Sequence, residues 1–345
     1  MRIAVDKNSK GVVDNENEYV YLFDQEKYEE LPKDLHCLDH KYCDYVDINL
    51  TEYDIDCIKK ANPTDKDCKE LPKKKDYKYA IIVPNYNNDH GEYQGKTFLQ
   101  NCIESILNQT YKDFKLIIID DCSSDTSIDT IRSYKDDRII LIQNTRKRYN
   151  GGSRNAGIEY ALNNLEFDYF CFLDSDDWWK DNEVLELINR RLYNHEMMTL
   201  ASEMLGTKGI MYTSRNEPKC YEDLWSINNN LWCTAWARVI RKDKIQYFCE
   251  DTLMEDRVWT YKVADNIDFE NVISITKTVY VWNRMNTTQS VSIVRNDYWN
   301  ASAYCHVGHQ LQFLSNIRHK TMIPKIQQRI EECKRRIERG IYQQY

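Results

Sequence analysis

The sequence predicts an α/β protein with a doubly wound, mostly parallel sheet and flanking helices. Two observations carry this prediction. Short apolar runs alternate with segments of helical periodicity between Tyr79 and Leu173, and polar residues follow several of the apolar runs. Strands and helices alternate in this way where a helical crossover joins each parallel strand to the next. The 345 residues suffice for one large domain of this kind with smaller appendages.

The predicted elements follow one another in a regular order. Strands are expected at 80–84, 116–120, 139–142, 169–173 and 274–282. Helices are expected at 98–107, after 123–125, and at 155–163, 182–194 and 255–264. The pattern is most regular before Trp178 and loosens after it.

The two ends of the chain differ from this central part. Residues 1–76 are expected to form an N-terminal extension with one candidate strand at 20–23, and the lysine run at 73–75 indicates a linker. Residues 77–295 are expected to form the central domain, in halves at 77–180 and 181–295. Residues 296–345 are expected to be helical, since 321–339 places isoleucines at helical spacing among Lys and Arg.

Composition excludes several classes of protein. The formal net charge of −8 argues against general nucleic-acid binding, which needs a basic surface. The 12 Cys are scattered without a close Cys-x-x-Cys pair, which favours reduced thiols. No apolar run approaches the roughly 18 residues that span a bilayer, and the N-terminus lacks the pattern of a signal peptide. We therefore expect a cytoplasmic protein, in which the basic C-terminal helix either contacts a membrane surface or a second copy, or packs on the domain.

The densest group of carboxylates is Asp174, Asp176 and Asp177, directly after an apolar run. Like charges at this spacing are tolerable when a divalent cation neutralises them, and Mg²⁺ or Mn²⁺ prefers such oxygen ligands. An isolated Asp-x-Asp more often belongs to a solvated turn. Two further apolar runs end in polar residues at 85–87 and 120–125, and in a parallel sheet all three ends lie at the ligand-binding edge.

Five segments in this order resemble the nucleotide-binding half of family 2 glycosyltransferases, which adopt the GT-A fold. They read IIVPNYN at 81–87, ILNQT at 106–110, IIDD at 118–121, SRNAG at 153–157 and LDSDD at 173–177. The resemblance is close from Tyr79 to Trp179 and weaker to Ser292. It implies a nucleotide-binding half at 77–180 and an acceptor half at 181–295.

The resemblance implies donor-binding roles on the nucleotide side. Pro84 and Tyr86 would frame the base, and Asp121 would accept a hydrogen bond from a base N–H such as that of uracil. Arg154 would face the nucleotide or its phosphates. The alternative for Asp121 is a helix-capping acid, and for Arg154 a surface arginine.

The same resemblance assigns the metal-dependent part of the site. Asp174 would contact the ribose or assist the metal, and Asp176 would coordinate Mn²⁺ or Mg²⁺ at the donor diphosphate. Asp177 would lie behind them. Arg284, in the closing segment VWNR at 281–284, would meet the diphosphate.

On the acceptor side, the resemblance makes Asp256 of MEDRVW at 254–259 the general base of an inverting transfer. Its alternative is a helix-start carboxylate, and Glu250 with Asp251 form a competing acidic pair. Trp236 would stack on the acceptor sugar, or equally would be a core tryptophan. His306 and His309 share a helix face and could add a metal ligand or contact a phosphate, although two isolated histidines without a functional role are the simpler interpretation.

The implied function is transfer of a single sugar from a nucleotide-sugar, expected to be a UDP-sugar, to a glycan, polymer, lipid-linked or protein acceptor. Three departures from the family pattern limit the inference: an insertion at 89–96, a shortened loop at 148–152, and the absence of a Gln-x-x-Arg-Trp motif. Two rivals remain. A metal-dependent nucleotidyltransferase lacks its Gly-rich phosphate loop here, and a catalytically silent binding module would have no need of Asp174, Asp176 and Asp256.

Overall fold

The computed structural model describes two compact units. The smaller one comprises Met1–Asp76 with Asn189–Tyr193, and the larger one comprises Tyr77–Ile188 with Asn194–Tyr345. Within these, the structure describes residues 2–5, 10–14, 19–23, 44–47, 68–70, 76–192, 194–214, 218, 220–225, 234–285 and 297–339.

The smaller unit contains an antiparallel sheet. Its described strands are β1 (Arg2–Val5), β2 (Lys10–Asp14), β3 (Tyr19–Phe23), β4 (Asp44–Asp47) and β5 (Cys68–Glu70), in the order β4-β1-β2-β3-β5. The strand expected at 20–23 is β3. Its Tyr, Val, Leu and Phe residues are those that favour strands.

The larger unit is a second sheet flanked by helices. Its described strands are β6 (Tyr79–Asn85), β7 (Phe114–Asp120), β8 (Ile139–Gln143), β9 (Tyr169–Phe172), β10 (Trp178–Trp179), β11 (Met197–Gly206), β12 (Gly209–Ser214), β13 (Arg238–Arg241) and β14 (Val272–Asn283). Its described α-helices are α1 (Phe98–Leu107), α2 (Ser127–Ser133), α3 (Asn150–Asn164), α5 (Glu255–Asp265), α6 (Asp297–Ser315) and α7 (Ile323–Glu338), and α4 (Val184–Arg191) begins in this unit and ends in residues of the smaller one.

The sheet is parallel in one half and mixed in the other. Its order is β10-β14-β11-β13-β9-β6-β7-β8, and β12 pairs with β11. The pairs β6–β7, β7–β8, β6–β9 and β11–β14 are parallel, whereas β13 runs antiparallel to both β9 and β11. The predicted doubly wound, parallel arrangement therefore holds for β6 to β9, and the rest of the sheet adds the antiparallel strands β10, β12 and β13.

Close packing of α3 onto the sheet depends on Gly157. A Cβ atom at this position would lie 2.7 Å from Ile119 Cδ1 and 3.0 Å from Ile82 Cγ2. The missing side chain lets the helix backbone approach β6 and β7, whose residues are almost all buried. This contact explains the glycine of the SRNAG segment by packing.

The C-terminal segment contains the expected amphipathic helix, α7. Pro324 lies in its first turn, where its missing N–H leaves no intrahelical bond unmade. The buried side chains are Ile326, Ile330, Cys333 and Ile337. No helix of the described residues is long and apolar enough to cross a membrane.

Candidate active site

The carboxyl ends of β6, β7 and β9 lie side by side, as the parallel pairing requires. The Asp121 N–H donates to the Asn85 carbonyl at 2.8 Å, and the Asn85 side-chain amide donates to Asp120 Oδ1 at 3.3 Å. The Asn144 N–H, after β8, donates to the Asp120 carbonyl at 2.8 Å. Polar side chains thus collect at the edge of the sheet where ligands bind in this class of fold.

The predicted base-binding residues form one patch at this edge. Pro84 is buried in β6, while the Tyr86 ring is 47% exposed. The Arg148 guanidinium lies 4.9 Å from the centroid of that ring. The patch therefore offers a flat aromatic face beside a cation.

Asp121 is held firmly beside this patch. Its Oδ1 accepts from Asn144 Nδ2 at 2.6 Å, and its Oδ2 accepts from the Tyr149 backbone N–H at 2.7 Å. The carboxylate is buried, with 5% of the residue exposed. Asn144, which the sequence did not single out, orients the carboxylate expected to contact the base.

The carboxylate turn (residues 174–177) follows β9 directly. Asp174 and Asp176 are partly exposed, while Asp177 is buried. Burial and the charge of Asp174 raise the pKa of Asp176 to about 7, although its own amide and Arg284 oppose the shift. Burial, Asp176 and Asp174 likewise raise the pKa of Asp177. The turn therefore brings together carboxyl groups whose ionised forms are disfavoured without a compensating charge.

Arg154 does not face solvent but joins three carboxylates. Its Nη2 donates to Asp174 Oδ1 at 2.6 Å, and its Nη1 donates to Glu255 Oε1 at 2.7 Å and to Asp256 Oδ1 at 3.3 Å. Arg154 is 1% exposed, so its surface-arginine alternative is excluded. These four residues, which we call the Arg154 cluster, connect the carboxylate turn to the start of α5.

The charges in the Arg154 cluster do not balance. One guanidinium faces three carboxyl groups, and the side chains of Asp174 and Asp256 are 27% and 25% exposed. Burial raises the pKa of Asp256, and burial together with Asp256 raises that of Glu255, while Arg154 opposes both shifts. Burial disfavours the charged form of Arg154, but Asp256, Asp174 and Glu255 raise its pKa overall.

Trp236 is placed in the core, not on an open surface. It is 3% exposed, and its ring stacks on Tyr280 with centroids 4.4 Å apart and an interplanar angle of 10°. In this position the indole has no face open for a sugar. The packing alternative is the one that the structure supports.

The remaining predicted residues have different surroundings. The Arg284 guanidinium lies 5.1 Å from the centroid of the Trp282 ring and close enough to Asp176 to lower its pKa. His309 pairs with Asp251 through Nε2. Neither ring nitrogen of the buried His306 bonds to a described residue. Among the described residues, no group of three or more His, Cys, Asp or Glu side chains is placed to hold a metal ion.

Glu255 and Gln109, like Asn144, have contacts in this region that the sequence did not predict. Glu255 precedes the predicted base, and it shares Arg154 with Asp256. Gln109, of the ILNQT segment, is buried; its side chain donates to the Asp181 carbonyl at 2.7 Å and accepts from the Leu185 N–H at 2.8 Å. It thereby ties the end of α1 to the segment after β10, a role with no local sequence pattern.

Taken together, the sheet topology and the carboxylates at its edge define a GT-A fold. The crystal structure of TarS residues 1–349 from S. aureus in complex with UDP-GlcNAc is similar, with a TM-score of 0.55. The two are 18% identical, and the match covers 70% of this chain and 68% of that one.

Sequence comparison specifies the class further. Residues 80–221 match the model of glycosyl transferase family 2. The chain is 34% identical over 120 residues to the Escherichia coli UDP-Glc:alpha-D-GlcNAc-diphosphoundecaprenol beta-1,3-glucosyltransferase WfgD, covering 35% of this chain and 43% of that one. It is 28% identical over 205 residues to the Staphylococcus aureus poly(ribitol-phosphate) beta-N-acetylglucosaminyltransferase TarP, covering 55% of this chain and 58% of that one.

The chain matches glycosyl transferase family 2 over residues 80–221, and this part of it belongs to that family. It spans 43% and 44% of the length of the first two curated relatives that it matches.

Proposed function

We propose that this chain is an inverting glycosyltransferase that moves one sugar from a UDP-sugar to a hydroxyl group of a glycan, polymer or lipid-linked acceptor. The observation that carries the proposal is the Arg154 cluster, because one guanidinium spans from Asp174 of the carboxylate turn to Asp256. A donor held at the turn would therefore lie beside a carboxylate able to take a proton. The match to the family and the glycosyltransferase activities of the relatives WfgD and TarP support a sugar-transfer reaction.

In the proposed reaction, Asp256 acts as the general base. The acceptor hydroxyl loses its proton to the Asp256 carboxylate as its oxygen bonds to the anomeric carbon. The bond between that carbon and the diphosphate oxygen breaks on the opposite face, and UDP leaves with the electron pair. Burial raises the pKa of Asp256, which strengthens it as a base, while Arg154 helps to keep it ionised.

The donor set at the carboxylate turn fits a divalent cation. Asp176 offers hard oxygen ligands, and burial together with the charge of Asp174 raises its pKa, so a cation beside it would stabilise the ionised form. Mg²⁺ and Mn²⁺ are commonly held by one or two carboxylates together with substrate phosphates. When bound, such an ion would stabilise negative charge on the leaving diphosphate.

In this proposal, Arg284 is the cationic residue that would contact the diphosphate. Arg154 already contacts three carboxylates, whereas Arg284, directly after β14, lies near enough to Asp176 to lower its pKa. Tyr86 would stack on the base, and a remaining lone pair of the Asp121 carboxylate would accept a hydrogen bond from the N–H of the base. Stacking by Tyr86 is favoured because its ring is 47% exposed at the edge of the site.

Calorimetric titration of UDP with and without Mn²⁺ tests the donor site directly. We expect metal-dependent binding by the native chain and its loss in Asp176→Ala. Asp243→Ala is the matched control, since its side chain is 59% exposed and pairs with Arg241 away from the site. If the native protein binds UDP but forms no free UDP from UDP-sugars in the presence of glycan and polymer acceptors, the chain is a binding module. If it binds no UDP even with metal, the UDP-sugar assignment is wrong.

A further inference from the structure

Strand β14 forms hydrogen bonds with the carboxylate turn on the buried side of the turn. β10 follows the turn and pairs antiparallel with β14, which sets Trp179 opposite Tyr280. Tyr280 is fully buried, so its hydroxyl must find its hydrogen bonds within the protein. It lies more than 100 residues along the chain from the turn it touches.

The Tyr280 hydroxyl makes two hydrogen bonds, both to the turn. It donates to Asp177 Oδ2 at 2.6 Å and accepts from the Asp174 backbone N–H at 3.3 Å. One oxygen atom thus holds the first and the last residue of the turn. Asp176 lies between these two fixed points.

Asn283, three residues further along β14, completes the contact. Its backbone N–H donates to Asp177 Oδ1 at 2.8 Å, and its side-chain amide donates to the Asp176 carbonyl at 3.0 Å. Both oxygens of Asp177 are therefore engaged by β14. This makes Asp177 an anchor of the turn rather than a ligand for a donor or a metal.

Trp236 acts on the turn through Tyr280. Its ring lies parallel to the Tyr280 ring at 4.4 Å and fixes the plane in which the hydroxyl is presented. Two buried aromatic rings offer few alternative rotamers. The tryptophan expected to hold the acceptor sugar instead supports the residue that holds the carboxylate turn.

We infer that Tyr280 is a positioning residue that sets the geometry of Asp174 and Asp176 for the nucleotide and its metal ion. The inference rests on the proposed function. Hydrogen-bonding partners behind metal ligands orient those ligands, and removing one typically costs about 10- to 100-fold in metal affinity or activity. Tyr280→Phe keeps the stacked ring and removes only the hydroxyl.

The test compares Tyr280→Phe with Tyr169→Phe. Tyr169 is an equally buried tyrosine whose hydroxyl donates to the His195 carbonyl at 2.8 Å, away from the site. UDP is titrated calorimetrically at several Mn²⁺ concentrations, and thermal melts report folding. We expect Tyr280→Phe to weaken UDP binding at limiting Mn²⁺ by about 10- to 100-fold. High Mn²⁺ should restore the binding, and Tyr169→Phe should behave as native protein does.

Each other result has a distinct meaning. If UDP binding by Tyr280→Phe depends on Mn²⁺ as it does in the native chain, the role of Tyr280 is wrong while the proposed function stands. The same holds if Tyr280→Phe loses UDP binding and high Mn²⁺ does not restore it. Absence of metal-dependent UDP binding in the native chain overturns the proposed function and the inference with it. Should Tyr280→Phe fail to fold, Asn283→Ala removes the bond to the Asp176 carbonyl and is judged by the same two criteria.

Discussion

Replacing Arg154 by glutamine should destabilise the protein strongly and in a pH-dependent way. The substitution removes the only positive charge of the Arg154 cluster and leaves Asp174, Glu255 and Asp256 facing one another. Breaking a buried ion pair by removing one partner costs about 3–5 kcal/mol. Because Asp174 and Asp256 keep a quarter of their side-chain surface in water, we expect about 3 kcal/mol at pH 8.

The sign of the pH dependence follows from the carboxyl groups. Burial raises the pKa of Glu255 and Asp256 in the folded protein, and Arg154 opposes this. Without the guanidinium, their folded pKa values rise further above the unfolded values of about 4.3 and 3.9. An acid with a raised folded pKa destabilises the fold as pH rises above the unfolded pKa, by about 1.4 kcal/mol per pH unit for each group, until the folded pKa is reached. The loss of unfolding free energy in Arg154→Gln should therefore be smaller at pH 5 than at pH 8.

The assay is urea unfolding followed by tryptophan fluorescence at pH 5, 6.5 and 8. Arg146→Gln serves as the control, because this arginine is 34% exposed and pairs with Glu159 and Glu250 near the surface. It should cost no more than about 1 kcal/mol at any of these pH values. An equal loss at pH 5 and pH 8 in Arg154→Gln, or a loss no larger than that of the control, would refute the reasoning.

Three further predictions concern other parts of the molecule. Burial and the nearby Arg257 lower the pKa of His306 to about 3, so the native fold should lose about 2 kcal/mol from this group between pH 7 and pH 5. His306→Leu should flatten that part of the urea-unfolding profile, and an unchanged slope would contradict the assignment. Gly157→Val should lower the free energy of unfolding by about 1–3 kcal/mol, because the added side chain overpacks against β6 and β7. Gly308→Ala, at an open position in α6, should raise it by about 0.5–1 kcal/mol, and thermal melts measure both effects. Asp256→Asn should lower turnover by about 100- to 10,000-fold while UDP binding persists, as UDP-release assays and calorimetry would show; an unchanged turnover would reassign the base.

The fold between residues 79 and 172 could be predicted because its information is local. The helix at Phe98–Leu107 and the strands near 80, 116 and 139 follow from the spacing of apolar residues. Parallel strands bring their carboxyl ends to one edge, so the proximity of Asp121 to the end of β6 followed from the strand assignments. In the later part of the larger unit, by contrast, periodicity does not reveal strand direction, and the antiparallel insertion of β13 between β9 and β11 was not predicted.

The sequence by itself therefore determined which residue types gather at the sheet edge, since that depends on short-range pattern and on the geometry of parallel strands. Only the tertiary structure decided what those residues touch. Arg154 meets Glu255 across 101 positions of the chain, and Tyr280 meets Asp177 across 103. The sequence around Trp236 fits a tryptophan that stacks on a sugar as well as one packed in the core, and the stacking of its ring on Tyr280 shows that it is packed in the core. Such contacts depend on how distant elements dock and on which side chains docking removes from water, and a local pattern carries neither kind of information.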